Sequence, residues 1–110
     1  MCQFYPTPTG YLASAQAIKG VVSVHAKVIA RGRVQGVFYR DTIRRSAVAR
    51  GVNGSAVNLA DGSVECHFEG SQEAAEAMIE VAHQGPPGAD VTALEVEWLA
   101  PTGASRFRVG

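Results

Sequence analysis

The chain has little of what marks a specialised class of protein. Its two cysteines, Cys2 and Cys66, cannot build a disulfide framework. Cys66 alternates with Val64 and Phe68, which makes it a small core residue of a strand, and Cys2 is expected to be free. A reducing cytoplasm is the compartment such cysteine usage fits. No apolar run approaches the length of a bilayer span, so no membrane segment is expected. No basic residue precedes Lys19, and Ala13-Ser14-Ala15 follows neither a charged start nor an unbroken apolar core, so secretion is not expected. No spacing of His, Cys, Asp and Glu resembles a zinc or magnesium cage. Ser55, Ser63 and the three histidines form no pattern of nucleophile, base and orienter. Neither a metal nor a cofactor is therefore expected.

What is present describes an ordinary globular domain. At 110 residues the chain holds one core, and 46% hydrophobic with 18% charged residues is the usual balance. Net charge is zero, yet the charges are segregated. Six arginines and one acid, Asp41, lie between Arg31 and Arg50, whereas Asp61 to Glu97 carries nine acids and no Lys or Arg. One local positive region suits a small anionic ligand better than a long polyanion, which needs an extended basic face. Residues 1–23, with Pro6-Thr7-Pro8-Thr9-Gly10, are expected to be a leader, either a disordered extension or an over-long translation start. Residues 24–110 form the expected domain.

Val24, Ala26, Val28 and Ala30 alternate, which predicts a strand over 23–31. A loop over 32–37 then leads to a helix over 38–50 that closes at Gly51. Arg44 and Arg45, three and four residues after Asp41, read as a solvated helix face. A weaker strand, 52–59, meets the strand 63–69 across Ala60-Asp61-Gly62, since Asp-Gly between alternating runs marks a tight turn. Ser71 caps a second helix with a stripe of Ala74, Ala75, Met78, Val81 and Ala82, which stops at Gly85-Pro86-Pro87. Leu94, Val96 and Trp98 oppose Glu95 and Glu97 in a strand over 92–99, and Phe107 and Val109 suggest a short last strand. The order predicts an α+β fold, a ferredoxin-like βαββαβ sandwich. Its antiparallel sheet would have four strands plus a short C-terminal one, with two helices on one face. Right-handed crossovers then place the ends of the first two strands at one sheet edge. His25 and His67 are expected on strand faces away from the loop.

The stretch that focuses this fold is Gly32-Arg33-Val34-Gln35-Gly36-Val37-Phe38-Tyr39-Arg40. The first turn of a helix has no internal acceptors for its N–H groups, so a glycine-bent loop feeding it is an anion site. Arg40 adds a planar, two-pronged donor for phosphate oxygens. The stretch resembles the signature of the acylphosphatase family. The frame Gly51, Gly54, Asn58 and Asp61-Gly62 is similar to the family's second block, and the likeness runs from about Ala26 to Val109, including Gly85-Pro86-Pro87. Ser55 stands where the family usually has a large aromatic, which bears on the packing of the second strand. The resemblance implies a metal-free hydrolase of small carboxyl phosphates, with the functional Arg at Arg40 and the functional Asn at Asn58. Asn53 is the rival, but Asn58 alone keeps the step to Asp-Gly.

The chemistry agrees. Without nucleophile or metal, the substrate must already be reactive, and an acyl phosphate is, because its leaving group is a stable carboxylate. The protein need only hold the phosphoryl group, offset its charge and align a water. Main-chain N–H groups of Gly32, Arg33, Val34, Gln35, Gly36, Val37 and Phe38, with Arg40, suit the first two tasks. Asn58, a neutral donor and acceptor, suits the third. The expected partners are a small acyl phosphate and inorganic phosphate or a similar anion, handled by a cytoplasmic monomer without nucleic acid or membrane. One alternative is a ferredoxin-like nucleic-acid-binding module without catalysis, although Glu65 and Glu69 on the outward face of the third strand would repel phosphates. Another is a carbamoyl-phosphate-handling piece of a larger enzyme; a chain ending at Gly110 favours a free-standing one.

Overall fold

The computed structural model describes residues 23–110. The leader expected over residues 1–23 thus falls, apart from Ser23, outside the described residues. The elements run β1 (Val24–Arg33), α1 (Tyr39–Arg50), β2 (Asn53–Asn58), β3 (Val64–Gly70), α2 (Gln72–Gln84), β4 (Asp90–Leu99) and β5 (Phe107–Val109).

Alternation along β1 and β3 builds the core. Val24, Ala26, Val28 and Ala30 face Val64, Cys66 and Phe68 across the antiparallel pair, and all are buried. Burial pushes the Cys66 thiol up to about 12, so it is a core residue rather than a nucleophile. Both helices cover this face. Helix α1 contributes Tyr39, Ile43 and Ala47, spaced at i, i+4 and i+8, and α2 contributes Ala75, Met78, Ile79 and Ala82. Ala74 and Val81 are only partly buried at the edge of the stripe, and Ile79 takes a central place in it. Ser71 caps α2 as expected: its Oγ accepts from the Ala74 amide at 3.1 Å. The Tyr39 hydroxyl donates to the Ala82 carbonyl at 2.5 Å and ties the helices together, and burial raises its phenol well above the usual range.

The strand order is β4-β1-β3-β2-β5. Four strands are antiparallel to their neighbours, but β5 pairs with β2 in parallel, so the sheet is mixed rather than antiparallel. The reason lies in the connection. Strand β4 finishes at the sheet end where β2 begins; the chain crosses that end through residues 100–106, and β5 can only run up beside β2. Three side chains hold this strap. Glu69 accepts from the amides of Thr102 and Gly103 at 3.0 and 3.1 Å, Asn53 Nδ2 donates to the Ala104 carbonyl at 3.0 Å, and His25 Nδ1 lies 3.0 Å from the Ala100 carbonyl. His25 and His67 meet at 2.7 Å on the open face, away from the loop, as expected. Ser55 also lies on that face, between His67 and Arg108 in register, so its size does not touch the core; Ala56 fills the inward position.

Candidate active site

Strand β1 extends two residues further than its alternation suggested. Gly32 and Arg33 still pair with β4, opposite Val91 and Asp90, beyond a register shift at Arg31/Gly32. Gly32 therefore serves close approach rather than the loop's bend. At its φ of 117° a Cβ would stand 2.2 Å from the Asp90 carbonyl oxygen. Arg33 is an exposed strand residue. The loop proper is residues 34–38, and Phe38 is the N-cap of α1 rather than its first residue.

Each loop residue has a distinct place. Val34 is buried in the core, and Val37 packs against it partly buried. Gln35 turns inward, where its Nε2 donates to the Leu59 and Ser63 carbonyls at 2.8 and 2.9 Å. That side chain fastens the loop to the β2–β3 turn, a tie that loop composition alone does not reveal. Gly36 and Phe38 are left-handed, with φ of 74° and 63°, and Val37 between them is not. Left-handed residues in such a loop are the backbone feature from which anion-binding nests are built. The loop ends at the N-cap Phe38, where α1 presents its positive end.

Arg40 sits in the first turn of α1 and lines a pocket of about 360 Å³ with Val34, Gly36, Phe38, Tyr39 and Val109 among its walls. Its guanidinium donates to the main-chain oxygen of Gly110. Asn58, at the end of β2, donates its main-chain N–H to the same oxygen at 3.4 Å. Residues 18 positions apart thus converge on one atom, as the crossover requires. Asn58 Oδ1 is buried and has no hydrogen-bond partner, which is costly unless a bound molecule supplies a proton. Asn53 is engaged elsewhere, on the strap.

Three of the six arginines of the positive region, Arg31, Arg44 and Arg45, are paired with acids. Arg31 reaches Glu95 at 2.9 Å and Asp61 at 3.1 Å, and Glu95 chiefly raises its guanidinium's pKa. Asp41 is paired with Arg44 at 3.2 Å and Arg45 at 2.8 Å. Arg44 and Arg45 are exposed, as a solvated helix face requires, and Arg44 also borders the pocket. Among the described residues, no group of three His, Cys, Asp or Glu could hold a metal ion.

A sandwich of this topology, two helices on one face of a five-stranded sheet, is a protein of the ferredoxin-like class. Comparison with known proteins narrows the class. The family model described as Acylphosphatase matches residues 26–109. The acylphosphatase of Haloarcula marismortui is 50% identical over 84 residues, 76% of this chain and 92% of that one. The acylphosphatase of Thermococcus kodakarensis is 49% identical over 88 residues, 80% of this chain and 94% of that one. The crystal structure of acylphosphatase from Bacillus subtilis matches with a TM-score of 0.77 at 32% identity, over 79% of this chain and 98% of that chain. The chain belongs to the acylphosphatase family.

Proposed function

We propose that the protein hydrolyses the carboxyl–phosphate bond of small acyl phosphates, without metal, to a carboxylate and inorganic phosphate. The unpartnered, buried Oδ1 of Asn58, whose main-chain N–H shares the Gly110 oxygen with Arg40, carries this reading. In it, the nest amides and the positive end of α1 take the phosphoryl oxygens. Arg40 has five N–H donors, so contact with Gly110 leaves others for the phosphoryl group. A water donates one proton to Asn58 Oδ1, which turns its lone pair toward phosphorus. The water oxygen forms the new P–O bond as the bond to the acyl oxygen breaks, and the electron pair leaves on the carboxylate. No general acid is required, because a carboxylate is a stable anion. The stabilisation acts on charge spread over the equatorial oxygens, where fixed donors are most effective.

We read the protein as a cytoplasmic monomer that takes small acyl phosphates and phosphate-like anions. Among the described residues, no helix is long and apolar enough to cross a membrane. The nucleic-acid reading draws no support from the open sheet face, where β3 presents Glu65, His67 and Glu69 rather than stacking aromatics.

The test is phosphate release from acetyl phosphate in excess chelator, beside phenyl phosphate as a monoester control. Hydrolysis of acetyl phosphate alone is expected. Equal hydrolysis of both, or a demand for added metal, would refute the proposal.

A further inference from the structure

The open face of the sheet carries a cluster that takes no part in the hydrolysis described above. His25 Nδ1 lies 3.0 Å from the Ala100 carbonyl, His25 Nε2 lies 2.7 Å from His67 Nδ1, and His67 Nε2 lies 2.7 Å from Glu65 Oε2. Each of these three links needs a proton of its own. The Ala100 carbonyl can only accept, so His25 Nδ1 supplies the first. Two neutral imidazoles carry one N–H each and an ionised carboxylate carries none, so together they close two links and leave lone pairs facing each other in the third. The chain is complete only when His25, His67 and Glu65 hold one further proton between them, whichever of the three carries it. Burial favours that state. His25 is 4% and Glu69 6% exposed, and two carboxylates against two neutral rings are disfavoured at such a depth.

The histidine pair floors a pocket of about 450 Å³. Its walls include Ser55, too short a side chain to fill the space, together with Glu69, Arg106 and Arg108. Glu69 is engaged by the Thr102 and Gly103 amides at 3.0 and 3.1 Å and by the Thr102 hydroxyl. Lys27 of β1 and Glu97 of β4, on the same face, pair with each other at 3.9 Å. Arg106 and Arg108 are exposed and have no ion pair among the described residues. Their two charges offset Glu65 and Glu69, so the further proton is what leaves the site positive. Two guanidinium groups without a carboxylate partner, beside a hydroxyl and a protonated cluster, are the donor set for a small oxyanion.

We infer that this pocket is a second anion site, which takes a small carboxylate or tetrahedral oxyanion on Arg106 and Arg108 and takes it together with a proton on the His25–His67–Glu65 chain. The site lies on the sheet face opposite the helices, separate from the loop and Arg40, and it does not depend on the hydrolase reading. Anion and proton favour one another by the same factor. A unit charge near the surface accounts for about three- to tenfold in affinity.

The experiment titrates the isotope-labelled full chain with sulfate and, separately, with acetate at pH 6.5 and pH 8.5, where the charge of each probe is constant, and follows the amide shifts. Saturable shifts at Ser55, His67 and Arg108 are expected, with a Kd about three- to tenfold lower at pH 6.5. Binding of either probe supports the site, and a preference between them tells whether it suits a carboxylate or a tetrahedral anion. The double variant Arg106→Gln/Arg108→Gln should lose these shifts. His67→Gln should keep the binding and lose most of its pH dependence, a ratio taken within one preparation whose dispersed spectrum reports that it is folded. Shifts confined to residues 34–40, or open-face shifts that survive the double variant, overturn the second site and leave the hydrolase reading intact. An equal Kd at both pH values in the wild type overturns the coupling to the proton.

Discussion

Asp61 carries a proton-linked contribution to the fold through one short turn. Its Oδ1 accepts from the Ser63 hydroxyl at 2.5 Å and the Ser63 amide at 3.0 Å, and Oδ2 accepts from Arg31 at 3.1 Å. Ser63, first through its hydroxyl and then its amide, with Arg31 assisting, pulls the carboxyl down to about 2 from an ordinary 3.8. A depressed carboxyl stabilises the fold above its unfolded value and loses that stabilisation as pH falls through the folded one. Asp61→Asn should therefore be less stable than wild type near neutrality, with the gap narrowing below about pH 4 and closing near pH 2. Urea midpoints measured from pH 7 to pH 2 check this, and a gap that stays constant would contradict it. At this scale the sequence was a good guide where chemistry is local. Asp-Gly marked the turn and Ser71 the cap. Gln35 was readable only as a loop member, and Phe38 only as the first residue of a helix. The carbonyls that Gln35 binds are 24 and 28 residues away, and the left-handed turn of Phe38 defies the preference of its own side chain.

Strand β2 makes a close backbone approach to β3. Gly54 has φ 143°, and a Cβ there would stand 1.8 Å from the His67 carbonyl oxygen of β3. Backbone cannot yield as a flexible side chain does, so Gly54→Ala combines a clash with conformational strain. It should cost about 2–4 kcal/mol, read as a lowered midpoint in urea unfolding; an unchanged midpoint would show that the β2–β3 contact is looser than described. The alternating strands and the amphipathic helices were plain in the sequence because a buried face imposes its period on them. The end of β1 was not, since Gly32 looks like loop punctuation until β4 is laid beside it. Strand β5 has three residues, too few to declare a direction; the strap across the sheet end, held by Glu69 and Asn53, decides it.

For the whole molecule, topology does what sequence proximity cannot. A right-handed crossover through α1 returns β2 parallel to β1 with β3 between them, so the C-terminal ends of both strands share one edge. The Arg40 guanidinium and the Asn58 main-chain N–H meet there on the Gly110 main-chain oxygen. The proposed division of labour is spatial: grip by the nest and Arg40, steering of water by Asn58. It separates binding from turnover, and kinetics can see the separation. The decisive measurement is kcat together with the inhibition constant for inorganic phosphate, side by side in wild type, Arg40→Ala and Asn58→Ala. Arg40→Ala should slow turnover by about 10³–10⁵ and weaken phosphate inhibition. Asn58→Ala should slow turnover by about 10²–10³ with phosphate inhibition largely retained. An Asn58→Ala variant that turns over normally but binds phosphate weakly would contradict the assignment at its centre.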